Sequence, residues 1–314
     1  MGNSLLDEFT LSLNVNAIPS IHSYSKEIFH YTALKNIESI LCNSPQKIIL
    51  WASQYDCLND ISEGTVVEEC YKRVCLKLKN DHFISNEMYN LLARIRPSRN
   101  DTFIINLDGK LKIERCESIS YITSFCKSPD ALPLWNYYSK GDLFEGINFG
   151  LNPEDISVSL KNSFPHGKIL LSLFPVIYKT TEQEAMIKNF LLEINQKYKK
   201  GYESSVRAIV SIVLSALKFQ FKQEYFEHEQ EVRLVVKISE KYKDTLTTKY
   251  RTTAGYIIPY VELEINKSAL QSVTFGPFHG TFHQRKLQDA VMGNLLISNG
   301  YSASISHSKV PVRY

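Results

Sequence analysis

The chain has 314 residues, 44% hydrophobic and 22% charged, enough apolar material for a buried core, which excludes a largely disordered protein. Its 36 basic residues against 33 acidic ones leave a net charge of +3, too even a balance to demand a polyanionic partner such as nucleic acid. The apolar stretch Ala208 to Phe219 is interrupted by Ser211, Ser215 and Lys218, and Met1 to Ser20 has no basic start leading an apolar run, so neither a membrane span nor a signal peptide is expected.

In chain order, residues 1–27 read as an irregular arm ahead of a single mixed α/β domain over 28–314. Ile28 to Tyr31 reads as a strand, after which Thr32 is expected to cap a helix carrying Leu34, Ile37, Ile40 and Leu41. Lys47 to Ala52 is a second strand. The polar loop behind it ends in Asn59-Asp60, expected to cap the helix that bears Val66, Val67, Cys70, Tyr71, Val74 and Leu78. Residues 80–117 are the least regular and read as an insertion or lid, with a short helix around Met88 to Ile95 and a hairpin at Asp108-Gly109. Strand Ser118 to Phe125, helix Leu132 to Tyr138 and strand Gly146 to Phe149 follow. A long strand, Gly167 to Tyr178, precedes two helices over 181–222 that are expected to pack as a pair. Strand Glu231 to Ile238, a basic loop Glu240 to Arg251, strands Tyr256 to Ile265 and Ser272 to Phe275, helix Phe282 to Ser298 and a terminal strand complete the chain.

The six cysteines, Cys42, Cys57, Cys70, Cys75, Cys116 and Cys126, contain no C-x-x-C pair, which argues against both a zinc knuckle and a disulfide framework. They are read as reduced thiols, and the protein as cytoplasmic. Four polar clusters sit at predicted element ends, where functional side chains are commonly placed. They are His30-Tyr31-Thr32, then Ser53 with Asn59, Asp60 and Glu63, then Ser124 with Trp135 and Tyr138, and lastly Phe226-x-x-Glu229-x-Glu231-x-Arg233. In the last, period 2 puts three charges on one face of an apolar strand. Two readings compete there: an ion pair between Arg233 and a glutamate on a solvated edge, or a catalytic carboxylate oriented by its neighbours.

Taken in order, these clusters, together with Leu50-Trp51-Ala52-Ser53, Gly146-Ile147-x-Phe149 and the ending Ser308-x-Val310-Pro311-x-Arg313, resemble a widespread bacterial family described as a domain of unknown function, over roughly residues 28 to 313. Their succession is similar to the histidine-tyrosine-glutamate layout of ADP-ribosyltransferases. That resemblance implies an α+β fold with a central, mostly antiparallel split sheet and flanking helices. It also implies an enzyme that consumes NAD as substrate, an ADP-ribosyltransferase or NAD glycohydrolase, acting as a bacterial toxin or phage-defence effector on a protein or nucleic-acid acceptor. No metal is needed.

Under this reading Glu231, or its rival Glu229, is the carboxylate near the ribose, and His30 hydrogen-bonds a ribose hydroxyl. Tyr138 or Trp135 stacks on the nicotinamide, while Ser53 or Ser124 orients its amide. Tyr31, Thr32, Asn59 and Arg233 complete the expected NAD-binding set. Glu231 is preferred over Glu229 because it lies deeper in the strand. The alternatives are a catalytically silent module binding a nucleotide, peptide or RNA end, and a metal-dependent nuclease built on His30, Asp60 and the glutamates.

Overall fold

Alternation of β-branched and aromatic residues with smaller or polar ones sets the strands of this protein, which pair into one ten-stranded sheet among the described residues. The computed structural model describes residues 24–58, 64–97, 101–105, 111–115, 118–138, 145–164, 169–253, 255–277 and 280–311, with the backbone alone for 101–105, 111–115 and Thr253. Strand β1 (Ile28–Ala33) is followed by β2 (Lys47–Gln54), helices α1 (Thr65–Asn80) and α2 (Asn86–Leu92), and the strands β3 (Asp101–Ile105), β4 (Leu111–Arg115) and β5 (Ser118–Cys126). Next come α3 (Leu132–Tyr138), β6 (Gly146–Leu151), α4 (Pro153–Ser163), β7 (Ile169–Pro175), α5 (Thr180–Lys197) and α6 (Glu203–Leu217). The last part holds β8 (Glu231–Ser239), β9 (Lys249–Thr253), β10 (Tyr256–Asn266), β11 (Leu270–Phe275), α7 (Phe282–Ser298) and β12 (Ser304–His307).

The strands lie in the order β12-β11-β6-β1-β5-β2-β10-β9, with β8 also beside β5 and β7 beyond β8; β3 and β4 form a separate two-stranded pair. Every ladder is antiparallel except β11 with β12. The mixed α+β class, the mostly antiparallel sheet and the flanking helices agree with expectation; the sheet is an open one.

The feature that matters most for function is at β5. One edge pairs with β8 along its whole length, from Ser118 opposite Ser239 to Cys126 opposite Glu231. The other edge is shared: β1 meets it at Phe29 and Cys126, and β2 at Ser53 with Ile122 and Gln54 with Tyr121. Between those contacts, at Thr123 to Phe125, β1 and β2 part. Side chains replace the missing ladder there, since Thr123 Oγ1 donates to the Trp51 carbonyl at 3.1 Å.

Two large cores flank this frame. One lies on the sheet face that carries Leu50, Phe125, Phe149, Val232, Leu234 and Val261, covered by Ile156 and Leu160 of α4 and by Met292 and Leu296 of α7. The other is formed by α1, α2, α5 and α6, which meet the β7 end through a bridge between Ile177 and Phe221.

Several local expectations need correction. Thr32 does not cap a helix: β1 runs on through Ala33 opposite Gly146, and one 3-10 turn and one π turn come next, with Thr32 Oγ1 accepting from Asn36 instead. Helix α1 starts behind Gly64, whose φ of 89° suits a residue without a side chain, while Asn59 and Asp60 lie outside the described residues. Within the 80–117 segment, expected to be an insertion or lid, Ile84, Met88, Leu91, Leu92 and Ile95 are buried in the helical core. Helices α5 and α6, expected to pack as a pair, both belong to that four-helix cluster, in which α5 packs chiefly on α1. Helix α4 was not anticipated, although Asn152 caps it and Pro153 occupies its first turn. The turn at Asp108-Gly109 lies outside the described residues, but the antiparallel pairing of β3 with β4 supports the hairpin.

Candidate functional site

A 3-10 turn, Glu224–Glu229, ends at Gln230 in the left-handed region, φ 46°, and swings the chain into β8. Alternation then sends Glu231 and Arg233 to one face, opposite Cys126 and Ser124 of β5. Both are buried, Glu231 at 5% and Arg233 at 1% exposure, so the pair survives only because its hydrogen bonding is complete. Oε1 of Glu231 accepts from Arg233 Nε at 2.9 Å and from Ser124 Oγ at 2.6 Å. Oε2 accepts from Arg233 Nη2 at 3.0 Å and from Lys222 Nζ at 3.4 Å. Arg233 Nη1 donates to the Phe219 carbonyl, and the Glu231 backbone N–H donates to the Tyr178 hydroxyl at 2.8 Å.

A carboxylate offers about four acceptor positions, and here protein donors occupy all of them. Burial pushes the Glu231 pKa up, but the Arg233 and Lys222 charges and the hydrogen bonds from Arg233 and Ser124 outweigh it and hold the group down at about 2. Glu231 is therefore a fixed, ionised, coordinatively filled anion. The ion-pair reading found the right partner for Arg233 but the wrong setting, since no solvated edge is involved.

Lys222 carries the network outward. Its Nζ donates to Glu229 Oε2 at 2.6 Å and lies over the Phe226 ring at 4.7 Å, and although burial opposes its charge, Glu231 and Glu229 raise its pKa overall. Glu229 keeps a side-chain exposure of 20%, and its Oε1 has no hydrogen-bond partner among the described residues. Tyr138, at the end of α3, is 43% exposed, yet burial is the first cause raising its hydroxyl pKa. Glu231 and Glu229 add to that rise, while Lys222 and Arg251 oppose it. A bond from the Tyr137 hydroxyl to His228 Nε2, 2.8 Å, braces α3 against the Glu224–Glu229 turn.

His30 also reaches Ser124, by the backbone: its Nδ1 lies 3.4 Å from the Ser124 carbonyl, at the long end of hydrogen bonding. A carbonyl can only accept, so Nδ1 carries the proton and Nε2 is the free acceptor. Burial lowers the His30 pKa to about 4 against a smaller opposing effect of the Ser124 bond, so the ring is neutral at pH 7. Its ring packs edge-on against Phe125, centroids 5.8 Å apart, and Phe125 projects to the face opposite Ser124. His30 and Glu231 thus meet on one residue from opposite faces of the sheet.

Across the gap, Ser53 stands on the same face as Ile122 and Tyr260, its register partners. Its Oγ accepts from Arg251 Nη2 of β9 at 3.0 Å. Trp51 shares that face, 41% exposed and 4.5 Å from the Tyr260 ring. Arg251, expected at the end of a basic loop, lies in β9, opposite Ile258 of β10; the alternation Lys249-x-Arg251 is its signal in the sequence.

Other expected ligand contacts prove structural. Trp135 is fully buried beside Tyr31, centroids 4.6 Å apart, with its Nε1 bonded to Asp130 at 2.8 Å, so it has no face left for stacking. Tyr31 is buried, its hydroxyl donating to the Ser128 carbonyl and accepting from Ala131 N–H. Thr32 is buried and bonded to Asn36, and Arg233 is enclosed as described. Asn59 lies outside the described residues, as do Asp60, Glu63 and Arg313. The C-terminal motif clamps α3 from below, with Lys309 N–H donating to Asp130 Oδ2 at 2.8 Å. Among the described residues no group of three or more His, Cys, Asp or Glu is arranged to hold a metal ion, and no helix is long and apolar enough to cross a membrane.

Residues 134–234 match the family described as protein of unknown function (DUF2971). The span contains Trp135, Tyr138, Glu229, Glu231 and Arg233, and is narrower than the expected 28 to 313. No curated protein and no solved structure matches the chain.

Proposed function

We propose that the gap beside β5 is a nucleotide cleft, that its ligand is NAD, and that the protein cleaves the bond between nicotinamide and ribose. The observation that carries this reading is the free Oε1 of Glu229, a half-open carboxylate held by Lys222 at the edge of a filled anion network, next to Tyr138. An oxocarbenium-like transition state needs a carboxylate with acceptor capacity to spare. Glu231 has none, so the ribose-facing role passes to Glu229 and Glu231 becomes its anchor.

In this scheme the C1′–N bond of NAD breaks, its electron pair leaves with nicotinamide, and positive charge develops on the ribose. Glu229 faces that charge. Water or a macromolecular hydroxyl then attacks C1′ and gives up its proton to solvent. Ser124 donates its only hydroxyl proton to Glu231, so its oxygen is left as an acceptor, suited to an N–H of the nicotinamide amide. Tyr138 supplies the exposed aromatic face that Trp135 lacks. His30 acts through the Ser124 peptide and is a positioning residue.

The second reading, a silent nucleotide-binding module, is favoured by the same saturation of Glu231. Calorimetric titration of NAD into the wild-type protein tests what both share: saturable binding, weakened in Tyr138→Ala, is expected, and no heat of binding at millimolar NAD would overturn the nucleotide assignment. Nicotinamide release separates the two.

A further inference from the structure

Of four cations at the cleft, Arg233, Lys222, Lys249 and Arg251, three are answered by a carboxylate among the described residues. Arg233 and Lys222 share Glu231 and Glu229, and Lys249 pairs with Glu262 at 2.7 Å. Arg251 is the exception. No carboxylate pairs with it among the described residues, its Nη2 donates to a neutral hydroxyl, Ser53 Oγ, and its Nε is buried with no hydrogen-bond partner. Leaving a buried donor unmet is costly.

Three features say what is missing. A guanidinium carries five N–H donors in a planar fork matched to phosphate oxygens, and among the described residues one of them has a partner. Ser53 Oγ accepts from Arg251 and so retains its own proton to donate onward. Trp51, partly open on the same face and supported by the Tyr260 ring, offers a stacking surface beside the charge. The Arg251 charge also opposes the rise in the Tyr138 hydroxyl pKa.

We infer that Arg251 and Ser53 form the phosphate-recognition element of the cleft, taking the diphosphate of a nucleotide whose base lies toward Trp51. This deepens the NAD reading and rests on it for the nucleotide part, while the anion site stands on its own observations.

The test titrates sodium pyrophosphate, ADP, adenosine and NAD into wild-type protein, Arg251→Gln and Arg251→Lys by calorimetry, with thermal melting of each free protein as a control for folding. In the wild type ADP should bind at least about tenfold more tightly than adenosine. That advantage should disappear in Arg251→Gln and shrink in Arg251→Lys, which keeps the charge and loses the fork. A folded Arg251→Gln protein that keeps the wild-type preference for ADP over adenosine overturns the inference while leaving the nucleotide reading standing. Arg251-dependent binding of pyrophosphate with no binding of ADP or NAD upholds the anion site and overturns the nucleotide reading. Failure of the wild type to bind any of the four overturns both. Should Arg251→Gln not fold, Ser53→Ala takes its place: a severalfold loss of ADP affinity with adenosine unchanged supports the inference, and unchanged ADP affinity overturns it.

Discussion

The hydroxyl of Ser124 donates to Oε1 of Glu231 across 2.6 Å, tying β5 to the first residue of β8 over 107 positions of sequence. Because the carbonyl of the same serine accepts from His30, a single residue at the gap in the sheet fixes the position of both. Removing that hydroxyl in Ser124→Ala leaves one acceptor position of a buried carboxylate unmet. The loss should be about 2 kcal/mol, the usual range for a hydrogen bond to a charged group, read as a lower urea midpoint with unchanged slope. Unaltered stability would mean that the bond does not hold the network together.

Glu231→Gln should be far more damaging, since it strands the enclosed guanidinium of Arg233 and half of the charge that neutralises Lys222. Breaking a buried pair from one side costs roughly 3–5 kcal/mol. A double variant, Glu231→Leu with Arg233→Met, should lose less than either single change, because no unpaired charge is then enclosed. Additive losses in that cycle would argue that the two side chains are not coupled.

Acid stability depends on the two shifted groups at this locus. The His30 pKa is lowered from 6.5 to about 4, so the unfolded chain takes up the proton first and stability falls as pH drops from about 6.5 towards 4. The Glu231 pKa is lowered from 4.5 to about 2, so its contribution is complete above 4.5 and is lost as pH falls towards 2. Denaturation midpoints against pH should therefore decline in two stages. His30→Asn should flatten the upper stage alone, and an unchanged profile in that variant would contradict the assignment of a neutral ring.

Trp135 and Tyr138 stand three residues apart on α3 and should respond in opposite ways. Trp135→Ala empties a fully buried site and should cost about 3–5 kcal/mol. Tyr138→Ala should change stability by less than about 1 kcal/mol while weakening NAD binding by about tenfold. Equal stability losses with equal NAD affinity would remove Tyr138 from the cleft.

Much of the frame is legible from pattern alone. Helices Leu132–Tyr138 and Phe282–Ser298 have the bounds expected from the sequence, and in the structure Thr281 and Gln284 cap the second. The strand Glu231–Ser239 reads from its Val, Leu and Ile alternation. Helix α4 was missed because, apart from Ile156 and Leu160, few buried apolar positions mark its period over 11 residues. At the site, residue types were readable but their surroundings were not. That Glu231 has no acceptor position left depends on Ser124 and Lys222, which only the β5–β8 register and the turn after α6 bring together. That His30 lies on the far face depends on whether β1 pairs with β6 in one register or the next, and a shift of one residue would reverse it.

The most direct measurement is the initial rate of nicotinamide release from NAD by wild-type protein, Glu229→Gln and Ser124→Ala, each confirmed as folded. The account predicts release by the wild type, a fall of about a hundredfold or more in Glu229→Gln with NAD affinity nearly intact, and a smaller loss in Ser124→Ala. Full activity in Glu229→Gln, or NAD binding by the wild type with no nicotinamide released, would contradict it.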